Sequence, residues 1–356
     1  MTALESTPPP FAFRDVLNRL ALHQDLSEIE AEGAVSAIME GALTPIQIAG
    51  FLAALRVKGE TVSELVGAAR ALRSRMLALP MEGVPMVDTC GTGGDGSSSI
   101  NISTLASFLI AGSGVVVAKH GNRAQSSRSG SHDVLEALGL DPSPTPELAR
   151  RCLAETKLAF LFAPSFHPAV QRATEARREL GIRTLFNLLG PLTNPAGARL
   201  HLTGVFRPEL CEMLAEVHRR LGSQRAFVVH GARGLDEIAP AGATHVAELH
   251  GSIVRSYEIT PEDFGLPATD PDGLRGGDPA FNAEIMVQVL NGGGPLAARN
   301  ATLMAAAVGL VLADAAVSLR EGTLRAARAL DEGHAARVLE RLRAIVPAKR
   351  SPNAFT

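Results

Sequence analysis

The sequence predicts an α/β protein, with a mostly parallel central sheet flanked by helices and a smaller all-helical domain at the N-terminus. Three observations predict it. Residues 13–80 carry helix caps and no strand signal; from "GVPMVD" (83–88) short β-branched runs alternate with amphipathic helices; and after Pro279 the chain returns to helices rich in alanine and leucine. At 356 residues, 46% of them hydrophobic, the chain can bury a core large enough for two domains.

Residues 1–12 are polar and proline-rich and read as a flexible leader, unlike the basic and then apolar start of a secretory signal. In the helical domain, Ser27 with Glu30, Thr44 with Gln47 and Thr61 with Glu64 match capping boxes, in which two side chains satisfy each other's backbone donors. Pro45 stands at a first helical position and Gly59 ends that helix after Lys58, giving about four helices in all.

Candidate strands are Val84–Asp88, Val115–Ala118, Leu158–Phe162, Leu200–Phe206, Ala226–His230 and Ile253–Tyr257. One unit is especially clear: a strand ends at Phe206, Pro208 opens a helix, Gly222 closes it, and the next strand follows, which is the grammar of a parallel sheet. The uncharged run Ser97–Ala118 is long enough to span a membrane, but serines at its start and the break at Gly112 and Gly114 make it a helix over about 102–111 followed by a buried strand. Residues 167–195 form a long, largely helical insertion between two strands. The expected boundaries are therefore a helical domain over 13–80 completed by 167–195, an α/β domain over 81–166 and 196–346, and a tail over 347–356.

Lys+Arg 34 against Asp+Glu 37 gives a formal net charge of -3, which supplies no global attraction for nucleic acid or an anionic membrane, so any anion must be caught locally. The three cysteines, Cys90, Cys152 and Cys211, lack CxxC spacing; this argues against a disulfide framework or zinc site and fits a reducing cytoplasm.

Three polar loops follow predicted strands. In "DTCGTGGDGSSSINIST" (88–104), Gly91, Gly93, Gly94 and Gly96 let backbone approach an anion, and Asn101, Ser103 and Thr104 add side-chain donors at the start of a helix. A lone Gly-x-Gly reads as a tight turn; the added donors favour phosphate. "KHGNR" (119–123), with "SSRSGS" (126–131) straight after, puts Lys119 at a strand end, where ligands collect in open sheets. In "GARGLDE" (231–237), adjacent Asp236 and Glu237 can converge on a hard cation from a loop, as Mg²⁺ uses one or two carboxylates plus substrate phosphates.

Together with "FLFAPSFHPA", "ARRELGIRTLFNLLGPLTNP" and the helical stretch "TPIQIAGFLAALRVKGET" (44–61), these motifs resemble the anthranilate phosphoribosyltransferase family in order and spacing, over roughly residues 13 to 345. The resemblance implies the nucleoside-phosphorylase/phosphoribosyltransferase-like fold and transfer of phosphoribosyl from 5-phosphoribosyl 1-diphosphate to the amine of anthranilate in tryptophan biosynthesis. It also implies a homodimer through the helical domain. By matching positions, Gly91, Thr92, Gly93, Gly94, Asp95, Asn101, Ser103, Thr104, Lys119 and Ser131 would bind the donor. Ser103, Asp236 and Glu237 would hold Mg²⁺, as two ions. Arg177 would pair with the anthranilate carboxylate through its planar fork, in a channel formed with Gly91, His120, Asn122, His167, Gly190 and Pro191. Gln171 falls where some members carry a larger side chain, which leaves the shape of the outer channel open.

Positioning and electrostatics would dominate catalysis, with His120 at most assisting proton removal, because an aniline nitrogen is already nucleophilic. Closure of one domain on the other is expected, hinged at 76–84 and at the ends of 167–195. Two alternatives compete. A pyrimidine nucleoside phosphorylase would lack "HGN" after its lysine and lack "NLLGPLTNP". A nucleic-acid-binding relative that had lost catalysis should carry excess Lys and Arg, which this chain does not.

Overall fold

The computed structural model describes residues 12–81, 83–123 and 128–348. All of the expected leader and tail except Ala12, Pro347 and Ala348 lies outside the described residues, as do Ser126 and Ser127 of the second loop. By chain contacts the protein divides into two compact units, one running to Arg75 and including Ala169–Phe186, the other formed by Met76–Pro168 and the chain from Asn187 onward.

The helical unit contains α1 (Phe13–Ala21), α2 (Glu28–Glu40), α3 (Pro45–Lys58) and α4 (Val62–Arg73). All three capping boxes form: Ser27, Thr44 and Thr61 accept from the backbone three residues on, and the facing Glu30, Gln47 and Glu64 accept in return. Glu64 has a second task. Buried to 1% exposure, it takes the Leu26 N–H at 2.9 Å on one oxygen, and the Thr61 N–H and Lys58 Nζ on the other. A single carboxylate thus ties the loop before α2 to the ends of α3 and α4. The crossing of α2 and α4 is close because Gly67 has no side chain: a Cβ there would lie 2.2 Å from the Glu28 carbonyl oxygen.

The other unit runs β1 (Met86–Asp88), α5 (Ile102–Gly112), β2 (Val116–Gly121), α6 (Ser131–Ala137), α7 (Pro146–Thr156), β3 (Leu158–Phe162) and α8 (Ala163–Phe166). The chain then enters the helical unit for α9 (Thr174–Leu180) and comes back through α10 (Phe186–Leu189). It continues with β4 (Leu200–Gly204), α11 (Leu210–Arg220), β5 (Arg225–Gly231), β6 (Thr244–His250) and β7 (Ile253–Ile259), and ends in α12 (Pro279–Leu290), α13 (Leu296–Leu312), α14 (Leu319–Asp331) and α15 (His334–Ile345).

The strands form one seven-stranded sheet in the order β3-β2-β1-β4-β5-β6-β7. Pairing is parallel from β3 to β5 and antiparallel for β6 and β7. The core is built largely by α5 and α13, which are apolar on nearly every face and pack against each other. Successive strands move outward from β1 to β3, then β4 returns to the other side of β1. That reversal is a topological switch point, where a crevice opens at the carboxyl ends of the strands.

Several boundaries differ from the sequence reading: β2 runs Val116–Gly121 instead of Val115–Ala118, carrying Lys119 and His120 within the strand, and β5 and β7 extend to Gly231 and Ile259. β1 starts at Met86 rather than Val84, because Pro85 has no N–H to give a neighbouring strand. β4 ends at Gly204 rather than Phe206: the Gly204 carbonyl is taken by Thr92, which draws the chain off the sheet. The following helix begins at Leu210, two residues after Pro208, and closes before Gly222. β6 was not expected at all. Its sequence "THVAELH" interleaves polar residues with apolar ones; it pairs antiparallel with β5 on one side and, across the two-residue turn Gly251-Ser252, with β7 on the other.

Candidate functional site

β1, β2, β4 and β5 all present their C-terminal ends on one edge of the sheet, so Asp88, Gly121, Gly204 and Gly231 start the loops gathered there. The glycine-rich loop begins after Asp88. Gly93 and Gly94 take φ of +65° and +82°, a left-handed pair that side-chain-bearing residues rarely adopt. The start of the loop is fastened to β4: Thr92 donates its N–H (2.8 Å) and its hydroxyl (3.2 Å) to the Gly204 carbonyl. Asp95 then reaches across to the acidic loop, accepting the Asp236 N–H at 3.2 Å on one oxygen and the Ser97 N–H on the other.

Gly204 is the crossing point of both loops. A Cβ on it would lie 1.6 Å from the Asp236 carbonyl oxygen, and a Cβ on Gly91 would lie 3.1 Å from the Gly204 oxygen. No side chain fits there. Asp236 and Glu237 are therefore held against the glycine loop by backbone contact.

Glu237 accepts the Ser103 N–H at 3.1 Å at the beginning of α5. Lys119, only 3% exposed, donates to the Thr89 carbonyl and hydroxyl and to Ser103 Oγ. Thr89 in turn shares a hydrogen bond with Ser107, also buried. Burial raises the Glu237 carboxyl to about 7, although Lys119 and the Ser103 hydrogen bonds pull it down. Asp236 is pushed well above the usual carboxylate range, first by burial and then by the negative charges of Asp95 and Glu237. Asp95, Asp236 and Glu237 thus gather on one side of the loop crossing, and Lys119 offsets part of the charge of Glu237.

The next group centres on Asp88, fully buried at the end of β1. It accepts the His120 N–H (3.1 Å) and Asn194 Nδ2 (2.7 Å), and Asn194 also donates to the Ala118 carbonyl (2.8 Å). Burial raises Asp88 to about 6, offset by the Asn194 hydrogen bond and Lys119. The network fixes the backbone that carries Lys119 and His120.

His120 and His167 stand with ring centroids 5.1 Å apart. His120 Nδ1 faces the Gly190 carbonyl at 2.9 Å, so that nitrogen carries the hydrogen and Nε2 keeps its lone pair, with no hydrogen-bond partner among the described residues. His167 is reversed: Nε2 donates to the Thr193 carbonyl at 3.0 Å, and it is Nδ1 that has no partner among the described residues. Burial lowers His120 to about 3, helped by the neighbouring His167, and lowers His167 to about 4. Both rings are neutral at physiological pH. Gly190 packs near Cys90, whose thiol burial keeps protonated, and Pro191 is buried beside it.

Of the other expected residues, Ser131 opens α6 and donates to the Asn122 carbonyl at 3.1 Å, while the Asn122 side chain caps the Arg123 N–H and is solvent-facing. Thr104 is buried in α5. Asn101, at the N-cap position of α5, makes no cap bond; its Nδ2 donates to the Ser129 carbonyl at 3.2 Å. Arg177 lies in the helical unit, with its guanidinium 5.3 Å from the centre of the Phe186 ring, where burial lowers its proton affinity. Gln171 is exposed in the 3-10 turn before α9.

The sequence reading missed Asp88, Thr89, Asn194 and Gly204. Asp88, Thr89 and Asn194 lie inside the motifs of the polar loops and the insertion, whereas Gly204 did not stand out, because the strand was expected to run on to Phe206. Among the described residues, no three His, Cys, Asp or Glu side chains are grouped so as to hold a metal ion unaided, and no helix is long and apolar enough to cross a membrane.

Residues 83–336 match the α/β domain of a glycosyl transferase family, and residues 14–76 match that family's helical bundle domain. The chain is 48% identical over 339 residues to an anthranilate phosphoribosyltransferase of Symbiobacterium thermophilum, covering 95% of this chain and 99% of that protein. Its fold is similar to the crystal structure of anthranilate phosphoribosyltransferase from Thermus thermophilus, with a TM-score of 0.88, 42% identity and coverage of 93% and 99%. It is also similar to the Saccharomyces cerevisiae enzyme in complex with PRPP and Mg, with a TM-score of 0.84, 28% identity and coverage of 94% and 97%.

Proposed function

The chain belongs to the anthranilate phosphoribosyltransferase family of glycosyl transferases, and on that footing we propose how its own residues perform the reaction. The reaction is transfer of phosphoribosyl from 5-phosphoribosyl 1-diphosphate to the amine of anthranilate, giving N-(5-phosphoribosyl)anthranilate and diphosphate in tryptophan biosynthesis.

The donor site is assigned to the glycine loop, Gly91, Thr92, Gly93, Gly94 and Asp95, with Asn101, Ser103, Thr104, Lys119 and Ser131. The observation that carries this is the convergence of that loop, Lys119 and the acidic loop on Gly204 and Ser103. Mg²⁺ fits the residues present: Asp236, Glu237 and Ser103 are hard oxygen donors, and burial beside other carboxylates raises the proton affinity of both acids, a cost that a bound cation would offset. Such an ion supplies charge neutralisation for the departing diphosphate. Two ions are proposed for this site. The yeast relative with PRPP and Mg bound supports this class of metal.

For the acceptor, Arg177 of the helical unit is assigned to the anthranilate carboxylate, and Gly91, His120, Asn122, His167, Gly190 and Pro191 of the other unit are assigned to anthranilate binding. The neutral amine needs no strong base. His120, at about 3, offers Nε2 as a hydrogen-bond acceptor to the amine and is too weak a base to drive the step. Rate enhancement comes from holding the nitrogen in line and from donors aimed at the leaving group.

Apolar side chains exposed on the helical unit, Leu22, Ile29, Ile46 and Val57, support assembly of two copies through that unit. The free, buried Cys90, Cys152 and Cys211 support a cytoplasmic setting.

The test is the decay of anthranilate fluorescence on mixing with 5-phosphoribosyl 1-diphosphate. The expected result is a Mg²⁺-dependent decay, with Arg177→Ala raising the KM for anthranilate at least tenfold, about the worth of one charged hydrogen bond. An unchanged anthranilate KM in that variant would remove Arg177 from the acceptor site.

A further inference from the structure

We propose that Asn282, on α12, is a positioning residue for the phosphoribosyl donor: it fixes which way the Asn101 amide faces. The inference rests on the assignment of Asn101 to the donor site. Asn282 is 1% exposed and accepts the Gly277 N–H at 2.8 Å through Oδ1. Its Nδ2 donates to Asn101 Oδ1 at 3.0 Å, and Asn101 Nδ2 donates to the Ser129 carbonyl at 3.2 Å.

Every role in this relay is forced. A backbone N–H can only donate, so the Asn282 atom facing Gly277 is oxygen, and the other is nitrogen. Nitrogen there requires oxygen on the facing atom of Asn101, which turns the Asn101 nitrogen to the Ser129 carbonyl, an atom that can only accept. The Gly277 end is itself anchored to the glycine loop: Ile100 N–H donates to the Leu274 carbonyl (3.0 Å) and Gly276 N–H to the Ser98 carbonyl (2.8 Å). One Asn101 hydrogen is used on Ser129. The second Nδ2 hydrogen remains for an oxygen of the donor, whereas a flipped amide would offer a lone pair to an anion.

This makes an unusual ordering of variants. Asn282→Asp keeps the shape and the acceptor for Gly277, but has no hydrogen for Asn101 and so favours the flipped amide. Asn282→Ala leaves the Asn101 amide held by Ser129 alone, whose carbonyl accepts from Nδ2 and whose hydroxyl donates to Oδ1 at a long 3.5 Å. A packing role predicts that the isosteric Asp is the milder change; the relay predicts that it is the harsher one.

The experiment measures donor Kd by calorimetry with Mg²⁺ and no acceptor, and KM for both substrates, in Asn282→Ala, Asn282→Asp, Asn101→Ala and the double variants. The expected result is that Asn282→Ala weakens the donor about three- to tenfold, that Asn282→Asp weakens it more, and that neither moves the anthranilate KM. Both effects should vanish in the Asn101→Ala background. If Asn282→Ala does not fold, Asn282→Asp with and without Asn101→Ala decides alone. A milder Asp variant, or penalties that persist without Asn101, overturns the relay. A wild-type donor Kd in Asn101→Ala overturns the donor-site assignment beneath it.

Discussion

Gly204→Ala tests the claim that the glycine loop and the acidic loop share one backbone crossing. The added Cβ would sit 1.6 Å from the Asp236 carbonyl oxygen, and contacts to a Cβ do not come closer than 3.0 Å. One of the two segments must therefore move by about 1.4 Å, and the obstacle is backbone, which cannot rotate out of the way; misplacement of about 1 Å in a site costs on the order of 10²-fold in rate. Stability should fall by about 1–3 kcal/mol, the usual cost of overpacking. Because the shift separates Asp236 and Glu237 from Thr92 and Ser103, the half-saturating Mg²⁺ concentration should rise along with the donor KM. The assay is anthranilate fluorescence decay titrated with Mg²⁺, paired with urea unfolding. Wild-type kcat/KM, Mg²⁺ dependence and stability together would show that the two loops do not depend on this contact.

Three further outcomes are expected. In metal-free protein, Glu237→Gln should be more stable than the parent above pH 7, because the native carboxyl titrates at about 7 against an ordinary 4.5 and the parent must ionise a buried group; the gap should grow as pH rises from 4.5 to 7, reach at most about 3 kcal/mol, and reverse with Mg²⁺ and diphosphate present. A constant gap across that range would contradict the burial argument. Gly67→Ala should destabilise the helical unit in urea by about 2 kcal/mol or more, although alanine is intrinsically the better helix former by about 1 kcal/mol; a stabilised variant would mean that α2 and α4 do not cross there. His120→Ala should lower kcat less than about 10²-fold and Asp236→Ala with Glu237→Ala more than that, and the opposite ranking would make His120 the base.

What could be read in the sequence was whatever depends on neighbours along the chain. Ser27, Thr44 and Thr61 announce their helices because each cap is completed three residues later. Leu158–Phe162 was legible because a strand of five apolar residues bounded by Lys157 and Pro164 has few other uses. Lys119 and the glycine loop stood out by motif. The partners that hold them did not, since Asp88 meets Asn194 106 residues away and Asn101 meets Asn282 181 residues away. Thr244–His250 escaped because its strand character comes from pairing on both sides, with β5 and β7, more than from its own composition.

The last strand governs how any optical unfolding experiment must be interpreted. The chain has no tryptophan and a single tyrosine, Tyr257, which lies on β7 and donates to Glu248 on β6. Its emission reports the outer hairpin and nothing else. A melt followed by intrinsic fluorescence records the peeling of that edge, whereas circular dichroism records the whole chain, so disagreement between the two would measure how independently the edge comes away. The same scarcity leaves the anthranilate emission band free of protein background, and a tryptophan introduced by substitution would be the only one in the molecule.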